Sequence, residues 1–330
     1  MTAKGLLNRE SMGWVVLLVY LLFPARAVFS LETLTLALPA KSFQQVIYPI
    51  AQEKGYMKEE GIDLKIVFME ATPSVQALVA GSVQFTGAGS SALVAVARGG
   101  APVKVALAVN DRVHQWLLSR PNISSPKELK GKKIATFGVA AVSTFMLKQV
   151  LPKYGLDGNK DVVFLDPGVN NQITALLAGA VDASLLSVEQ RYAGIDAGMK
   201  ELLYLGNEVK NSWGTLATSD RFIKEQPQLM AGFARASLKA LRLIRRDREG
   251  TIATIVKFSG LSQTLATRVY DDLINTFTAN GAVDEETQKN DLVIIRQVAG
   301  VTADIPNTRA YDFSFAMEAD QQLNRANWRP

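Results

Sequence analysis

Ala77-Leu78-Val79-Ala80-Gly81-Ser82-Val83 and Ala175-Leu176-Leu177-Ala178-Gly179-Ala180-Val181 share the pattern A-L-x-A-G-x-V, and the second begins 98 positions after the first. The same offset recurs upstream. Leu36-Ala37 matches Ile134-Ala135, each in an apolar run that breaks into small residues, and Gly55-Tyr56 matches Lys153-Tyr154, each closing a helical pattern. Solenoid repeats have periods of about 20–50 residues, so this longer one indicates two similar α/β lobes in one chain. A cleft between two such lobes is where a small ligand is expected.

The chain has 330 residues, 48% hydrophobic and 20% charged, an ordinary globular composition that allows one large or two medium domains. It has no cysteine, which excludes disulfides, thiolate chemistry, cysteine zinc sites and a lipidated N-terminal cysteine. With His114 as the single histidine, a histidine metal site or a catalytic triad has no material, so neither metal, cofactor nor catalytic residue is expected. The net charge of +5 is scattered, and its densest run, Arg242 to Arg248, alternates with apolar residues as a solvated helix face does. Nucleic acid is therefore not an expected partner.

Lys4 and Arg9 precede an apolar run from Trp14 to Phe23, and Pro24 and Ala25-Arg26-Ala27 follow. This is the order of a secretory signal peptide, with cleavage between Ala27 and Val28, and the run is short for a membrane span, which needs about twenty residues. A mature, exported, periplasmic protein is expected.

Thr33 to Leu38 alternates as a strand, Gln44 to Lys54 has helical spacing ended by Gly55, and Leu64 to Phe68 is a second strand. Thr72-Pro73 starts a helix with a hydroxyl cap, Val83 to Phe85 is a short strand, Gly87 to Ser91 opens the helix Ala92 to Arg98, and Val103 to Val109 is a buried strand. The plan repeats in strands at Lys133 to Phe137, Val162 to Leu165 and Ala183 to Leu186, with helices starting near Ser143, near Asn170 or Asn171, and at Ser187. Leu202 to Leu205 and Trp213 to Ala217 are further strands, and from Asp220 onward the periodicity is helical throughout. The expected fold is α/β with two lobes, each a mostly parallel sheet flanked by helices. Lobe 1 comprises residues 28–110 and 214–330, lobe 2 comprises 111–213, and the all-helical tail packs on the first lobe.

Small and hydroxyl residues mark the strand-to-helix loops at Ser42, Thr72, Ser90-Ser91, Ser143 and Ser187. Helix N-termini offer free N–H groups to oxyanions without any charged side chain, and in open α/β sheets they converge at the carboxyl ends of the strands. Alternatively, each hydroxyl caps its own helix. Lys41 and Arg191 are the candidates for direct charge pairing with an anion. Trp116 and Trp213 lie near the expected crossings and either stack on a ligand or pack in the core. His114 has a surface or hinge role, and Glu189 favours a helix dipole or accepts from a ligand amine. Glu70 and Asp166 end matching strands in different lobes, which suits turn roles rather than paired acid–base work. Gly87-x-Gly89 lacks the third glycine and the lysine of a nucleotide loop.

Gly61-Ile62-Asp63, Ala77-Leu78-x-x-Gly81-x-Val83-Gln84-Phe85, Gly89-Ser90-Ser91, Leu129-Lys130-Gly131-Lys132-Lys133-Ile134-Ala135 and Ala175-Leu176-x-x-Gly179-x-Val181-Asp182-Ala183 together resemble the nitrate/sulfonate/taurine-type ABC transporter substrate-binding proteins, whose domain is shared with thiamine-pyrimidine precursor synthases. The resemblance covers Leu34 to Arg221 well and the tail loosely. It implies a type II periplasmic-binding-protein fold, a monomer that closes on a small ligand, and an ABC permease in the inner membrane as partner. By position, the implied cleft residues are Ser42, Phe43, Ser90, Ser91, Asn110, Ala140, Ala141, Ser143, Ser187, Glu189 and Trp213. The loop Gly138-Val139-Ala140-Ala141 is poorer in hydroxyls than many members carry, and Val188-Glu189-Gln190 stands where many have a proline. A larger or partly apolar organic ligand is therefore as compatible as a small oxyanion. The alternatives are an enzyme on the same fold, which the pyrimidine-synthase branch would require to carry histidine and cysteine chemistry, and a sensory ligand-binding protein.

Overall fold

The computed structural model describes residues 31–168 and 171–330, and the leader read above lies outside them. Ten strands build two sheets. The first contains β1 (Glu32–Leu38), β2 (Ile62–Phe68), β3 (Phe85–Thr86), β4 (Val103–Asn110) and β10 (Trp213–Ser219), in the order β2-β1-β3-β10-β4. The second contains β5 (Trp116–Ser119), β6 (Lys133–Ala135), β7 (Val163–Leu165), β8 (Ala183–Leu186) and β9 (Lys200–Tyr204), in the order β7-β6-β8-β5-β9. In each sheet the fourth strand in that order, β10 or β5, runs against its neighbours, so both sheets are mostly parallel with one reversed strand in the same place. That strand follows a crossover: β4 of the first sheet leads to β5 of the second, and β9 of the second leads to β10 of the first.

The offset of 98 is a register. Leu36 pairs with Ile66 and Phe85, and Ile134 pairs with Phe164 and Ala183. The repeated motif performs the same work in both copies. Leu78 and Leu176 are buried beneath their helices, and Gly81 and Gly179 close those helices in the left-handed conformation at φ 79° and 71°. Val83 and Val181 return to the core. Gln84 and Asp182 then accept from the first strand of each sheet, at Thr35 N (2.8 Å) and Lys133 N (2.9 Å). The third correspondence is offset by two residues. The glycine that closes the second lobe's helix at positive φ is Gly155, the counterpart of Gly55, while Tyr56 begins a further helical turn instead of ending one.

The helices of the first unit are α1 (Ile47–Glu53), α2 (Tyr56–Glu59), α3 (Ala71–Ala80) and α4 (Gly89–Gly99). The single helix expected over Gln44 to Lys54 is split into a 3-10 turn at Phe43–Gln45 followed by α1. α3 begins at Ala71, one residue before Thr72, and has no side-chain cap. The second unit carries α5 (Val142–Val150), α6 (Gln172–Leu177), α7 (Val188–Asp196) and α8 (Leu205–Glu208). The strand β5 is absent from the sequence reading, because Trp116-Leu117-Leu118-Ser119 is buried on both faces and shows no alternation.

The tail contains α9 (Asp220–Glu225), α10 (Pro227–Leu243), α11 (Arg248–Ser259), α12 (Gln263–Leu273), α13 (Glu285–Ala299), α14 (Asn307–Ala310) and α15 (Ser314–Arg325). It is helical as read, but it does not pack on the first unit alone. α10 lies on α1, α2 and α15, whereas α13 packs on both α4 and α5, and α12 reaches α7. The main apolar core accordingly runs from Leu36 and Phe85 through Phe233 and Leu241 of α10 to Val269 of α12 and Tyr192 of α7.

Candidate functional site

A cavity of about 210 Å³ opens where the carboxyl ends of β1 and β3 meet the start of the reversed strand β10 and the N-terminus of α4. Pro39 follows β1, Gly87 follows β3, Ser90 and Ser91 lie in the first turn of α4, and Trp213, Gly214 and Thr215 form the opposite wall. The walls are closely fitted at their glycines. A Cβ on Gly89 would stand 2.2 Å from Thr215 Oγ1 and 2.9 Å from its carbonyl oxygen, and one on Gly87 would stand 2.9 Å from Gln45 Nε2. Gly214, at φ +60°, approaches Asn110 Oδ1 closely enough that a Cβ would be at 3.0 Å. Glycine is therefore what lets these segments approach one another at the rim of the cavity.

The polar groups around this cavity are unsatisfied in a complementary way. Ala88 at the N-cap of α4 supplies no side-chain cap, so the first-turn N–H groups face outward with the positive end of the helix dipole. Trp213 Nε1 is a buried donor and Gln45 Oε1 a buried acceptor, neither with a partner among the described residues. Buried polar atoms are nearly always paired, so these two orphans, on residues that line the cavity, are candidates for pairing with a bound molecule.

The second unit offers a comparable helix start at α5. α5 also has no side-chain cap at Ala141, and its first turn carries Ser143, while Thr144 Oγ1 donates to the Gly138 carbonyl (2.6 Å) and holds the preceding loop, in which Ala140 is exposed. The N-terminus of α7 is occupied by its own chain. Ser187 and Gln190 form a reciprocal capping box there, with Gln190 N donating to Ser187 Oγ and Ser187 N to Gln190 Oε1. Ser187 is thus a cap, as the alternative reading allowed. Replacing it with alanine is expected to cost about 1 kcal/mol of stability, measured by urea unfolding, with no change in ligand affinity. Glu189 follows it in the first turn of α7, against the dipole's positive end.

Several other sequence candidates lie elsewhere. Phe43 is core, edge-on to Phe277 at 5.1 Å between ring centres, while Ser42 beside it makes no capping bond. Thr72 is exposed on α3. Lys41 lies over the ring of Phe68 at 5.2 Å. Arg191 cannot serve as a free cation. It pairs with Glu201 (2.5 Å) and, across to the tail, with Asp272 (2.6 Å), and its guanidinium lies 4.9 Å from the centre of the Trp116 ring. Trp116 in turn stacks on Tyr204 at 4.5 Å and is core. His114 is buried rather than on the surface. Asn110 is buried and donates to Thr276 Oγ1 (3.1 Å). Asp166 accepts from Gly168 N (2.9 Å), a turn role. Gln45, Gly214 and Thr215 are not among the sequence candidates. Their signal is spacing against a distant segment, Gln45 against Gly87, Thr215 against Gly89 and Gly214 against Asn110, which no local pattern carries.

Two mostly parallel sheets, each with one reversed strand supplied by a crossover, are the periplasmic-binding-protein fold. Solved structures share it across nearly the whole chain. A sulfonate-binding protein SsuA described as a putative ABC transporter component from Methylobacillus flagellatus KT superposes with a TM-score of 0.75 at 17% identity, covering 91% of this chain and 98% of that one. The periplasmic nitrate-binding protein NrtA from Synechocystis PCC 6803 gives 0.69 at 14% identity, covering 90% and 91%. A DszB mutant in complex with biphenyl-2-sulfinic acid gives 0.66 at 14% identity, covering 89% and 99%. At these identities the likeness is one of fold. No curated protein matches the sequence. Residues 42–249 match the family model described as NMT1/THI5 like, and the chain belongs to that family.

Proposed function

We propose that this chain is the extracytoplasmic solute-binding protein of an ABC import system, which closes its two lobes around a small organic or oxyanion ligand and delivers it to a permease in the inner membrane. The observation that carries the reading is the orphan pair at one cavity, an uncapped helix N-terminus facing a wall with the unpaired Trp213 indole N–H. The sulfonate- and nitrate-binding titles of the fold neighbours support it. Residues 1–27 are its cleaved signal, residues 28–110 and 214–330 its first lobe and 111–213 its second. Among the described residues no helix is long and apolar enough to cross a membrane.

Within the cleft, Ser90, Ser91, Trp213 and the α4 N-terminus bind one side of the ligand. Ala140, Ala141, Ser143 and the α5 N-terminus close on the other. Binding to both lobes favours the closed state by the difference in affinity between the two states. The reading is of a carrier rather than an enzyme. The chain has no cysteine, and its one histidine is buried with its Nε2 committed to Thr276.

The test is thermal unfolding of residues 28–330 against nitrate, alkanesulfonates, carboxylates, pyrimidines and aromatic acids. A ligand at 100 times its dissociation constant adds about 2.7 kcal/mol, a rise of roughly a few degrees. A saturable rise with one class, lost in Trp213→Ala, is the expected result. No rise with any class, or turnover of a panel compound, would overturn it.

A further inference from the structure

Both crossovers are gripped by the tail. At the first, Asp111 N donates to the Thr276 carbonyl (2.9 Å), and Asn110 Nδ2 and His114 Nε2 converge on Thr276 Oγ1 at 3.1 and 2.8 Å. Thr276 donates its own proton to the Leu273 carbonyl (2.6 Å), so its oxygen accepts from both side chains and His114 carries its proton on Nε2. Burial lowers the His114 pKa to about 3, so the ring stays neutral there.

The second crossover is held by a carboxylate. Asp291 of α13 is 6% exposed and takes four donors. Oδ1 accepts from Asn211 Nδ2 (2.9 Å) and Ser212 N (3.0 Å), and Oδ2 accepts from Ser212 Oγ (2.5 Å) and the Tyr311 hydroxyl (3.1 Å). The residue after Ser212 is Trp213, the first of the cavity wall. α13 also lies against α4 and α5, whose starts have no side-chain cap.

We propose that Asp291 is the positioning residue of the cleft: by tying Asn211 and Ser212 to α13 it fixes where the Trp213–Thr215 wall stands, and so sets ligand affinity without touching ligand. The affinity part of this statement rests on the solute-binding reading above, whereas the hold on the wall does not. An amide is a weaker replacement for the carboxylate: its NH₂ would either confront Asn211 Nδ2 and Ser212 N or require the Ser212 and Tyr311 hydroxyls to turn and accept, and it carries no charge to strengthen the four bonds. A buried charge paired with no cation is a costly way to gain stability, and an apolar side chain would serve a purely structural role better.

The charged surroundings isolate this group. Lys210, on the same crossover, is engaged by Asp284 (2.8 Å) and Glu286 (2.6 Å) at the start of α13. Arg98 of α4 donates to the carbonyls of Val298 and Ala299 at the far end of α13, Lys148 of α5 lies over Phe145 and Phe164, and Arg309 of α14 faces Asp220. Tyr311 is held protonated by burial. Burial also lifts Asp291 from 3.8 to about 6, against the pull of its donors. The pKa is raised in the folded state, so this group's contribution to stability is full below pH 3.8 and is lost as pH rises through about 6. Its hold on the crossover runs the other way, since protonation removes the charge that strengthens its four hydrogen bonds and makes a hydroxyl of Ser212 or Tyr311 turn to accept. Between pH 7 and pH 5, affinity should fall while this group's contribution to stability rises. A merely structural residue would move both together.

The experiment uses residues 28–330 and the variants Asp291→Asn and Ser212→Ala. Amide hydrogen exchange at Ser212, Trp213 and Gly214 is followed without ligand at pH 5 and 7, and nitrate and ethanesulfonate are titrated over the same range. We expect protection factors, which remove the pH dependence of intrinsic exchange, to be about tenfold lower in Asp291→Asn at pH 7 and to match those of the wild type at pH 5. Probe affinity should be about tenfold weaker and flat with pH, with a smaller loss in Ser212→Ala, which keeps the charge. Wild-type exchange at all three amides in both variants would overturn the inference, as would a wild-type affinity profile in Asp291→Asn. If neither probe binds any form, the solute-binding reading is in question, and the exchange data still decide the hold. Should Asp291→Asn fail to fold, Ser212→Ala carries the exchange test.

Discussion

Alanine at Gly89 is expected to weaken ligand binding by about ten- to a hundredfold, although it adds one methyl group and leaves every polar side chain of the site in place. The added Cβ would sit 2.7 Å from Thr215 Cβ and 2.9 Å from the Thr215 carbonyl oxygen. That oxygen belongs to the backbone of the reversed strand β10, where Thr215 is paired with Ala108 of β4, so it steps aside less readily than a flexible side chain would. The strain must be relieved by moving the start of α4 away from Trp213, which enlarges the gap that the N–H groups and the indole must span together. An ångström at a site of this kind costs one to two orders of magnitude, and overpacking costs about 1–3 kcal/mol of stability besides. Calorimetric titration with whichever compound raises the melting temperature reads the first effect, and urea unfolding reads the second. Gly99, at the other end of the same helix, has open space around it and is the control. Alanine there should leave affinity unchanged and raise stability slightly, by about 0.4–1 kcal/mol. If Gly89→Ala binds as the wild type does, α4 is not a wall of the site.

What could be read in the sequence was whatever local geometry writes into consecutive residues. The A-L-x-A-G-x-V motif was legible because a buried leucine, a left-handed glycine and a returning valine must follow one another at fixed spacing wherever such a helix meets such a strand. Two copies in equal register gave the two-lobed fold. Ser187 and Ser90 looked alike as hydroxyls after strands, yet Ser187-x-x-Gln190 is a capping-box spacing and Ser90 has no such partner. That distinction was available from the residues. The fate of Arg191 was not, because the carboxylate that helps neutralise it is Asp272, 81 positions later. Asp291 and its donors Asn211 and Ser212 are likewise separated by 79 or 80 positions. The closeness of Gly89 to Thr215 arises only when β10 returns from the second sheet. The sequence reading also placed the tail on one lobe, because helical periodicity identifies an apolar face without saying what covers it.

The largest loss of stability is expected from Phe85→Ala. Phe85 belongs to a strand of two residues, too short to be held by its ladder alone. What fixes it is its ring, wholly buried, stacked on Phe233 of α10 at 3.9 Å with an angle of 19° and met edge-on by Phe222 of α9 at 5.3 Å. The sheet's central strand is thus packed by the tail as well as by α3 of its own repeat, where Thr86 meets Ser74 (2.8 Å). Truncation leaves a cavity bounded by a sheet on one side and two helices on the other, neither of which can collapse into it. A cost of about 3–5 kcal/mol follows, which lowers the melting temperature by roughly 10 °C in a chain of this size. Phe68, half exposed at the end of β2 against Phe258, is the comparison, and its alanine variant should lose less than about 1.5 kcal/mol. The shape of the transition carries further information. The core is continuous from Phe85 through α10 to α12 and the second unit's Tyr192, so the destabilised variant should still unfold in one step. Two separated transitions in Phe85→Ala would mean that the tail and first sheet form a unit that melts independently of the second sheet. The grip of Thr276 and Asp291 on the crossovers would then be too weak to transmit what happens at one lobe to the other.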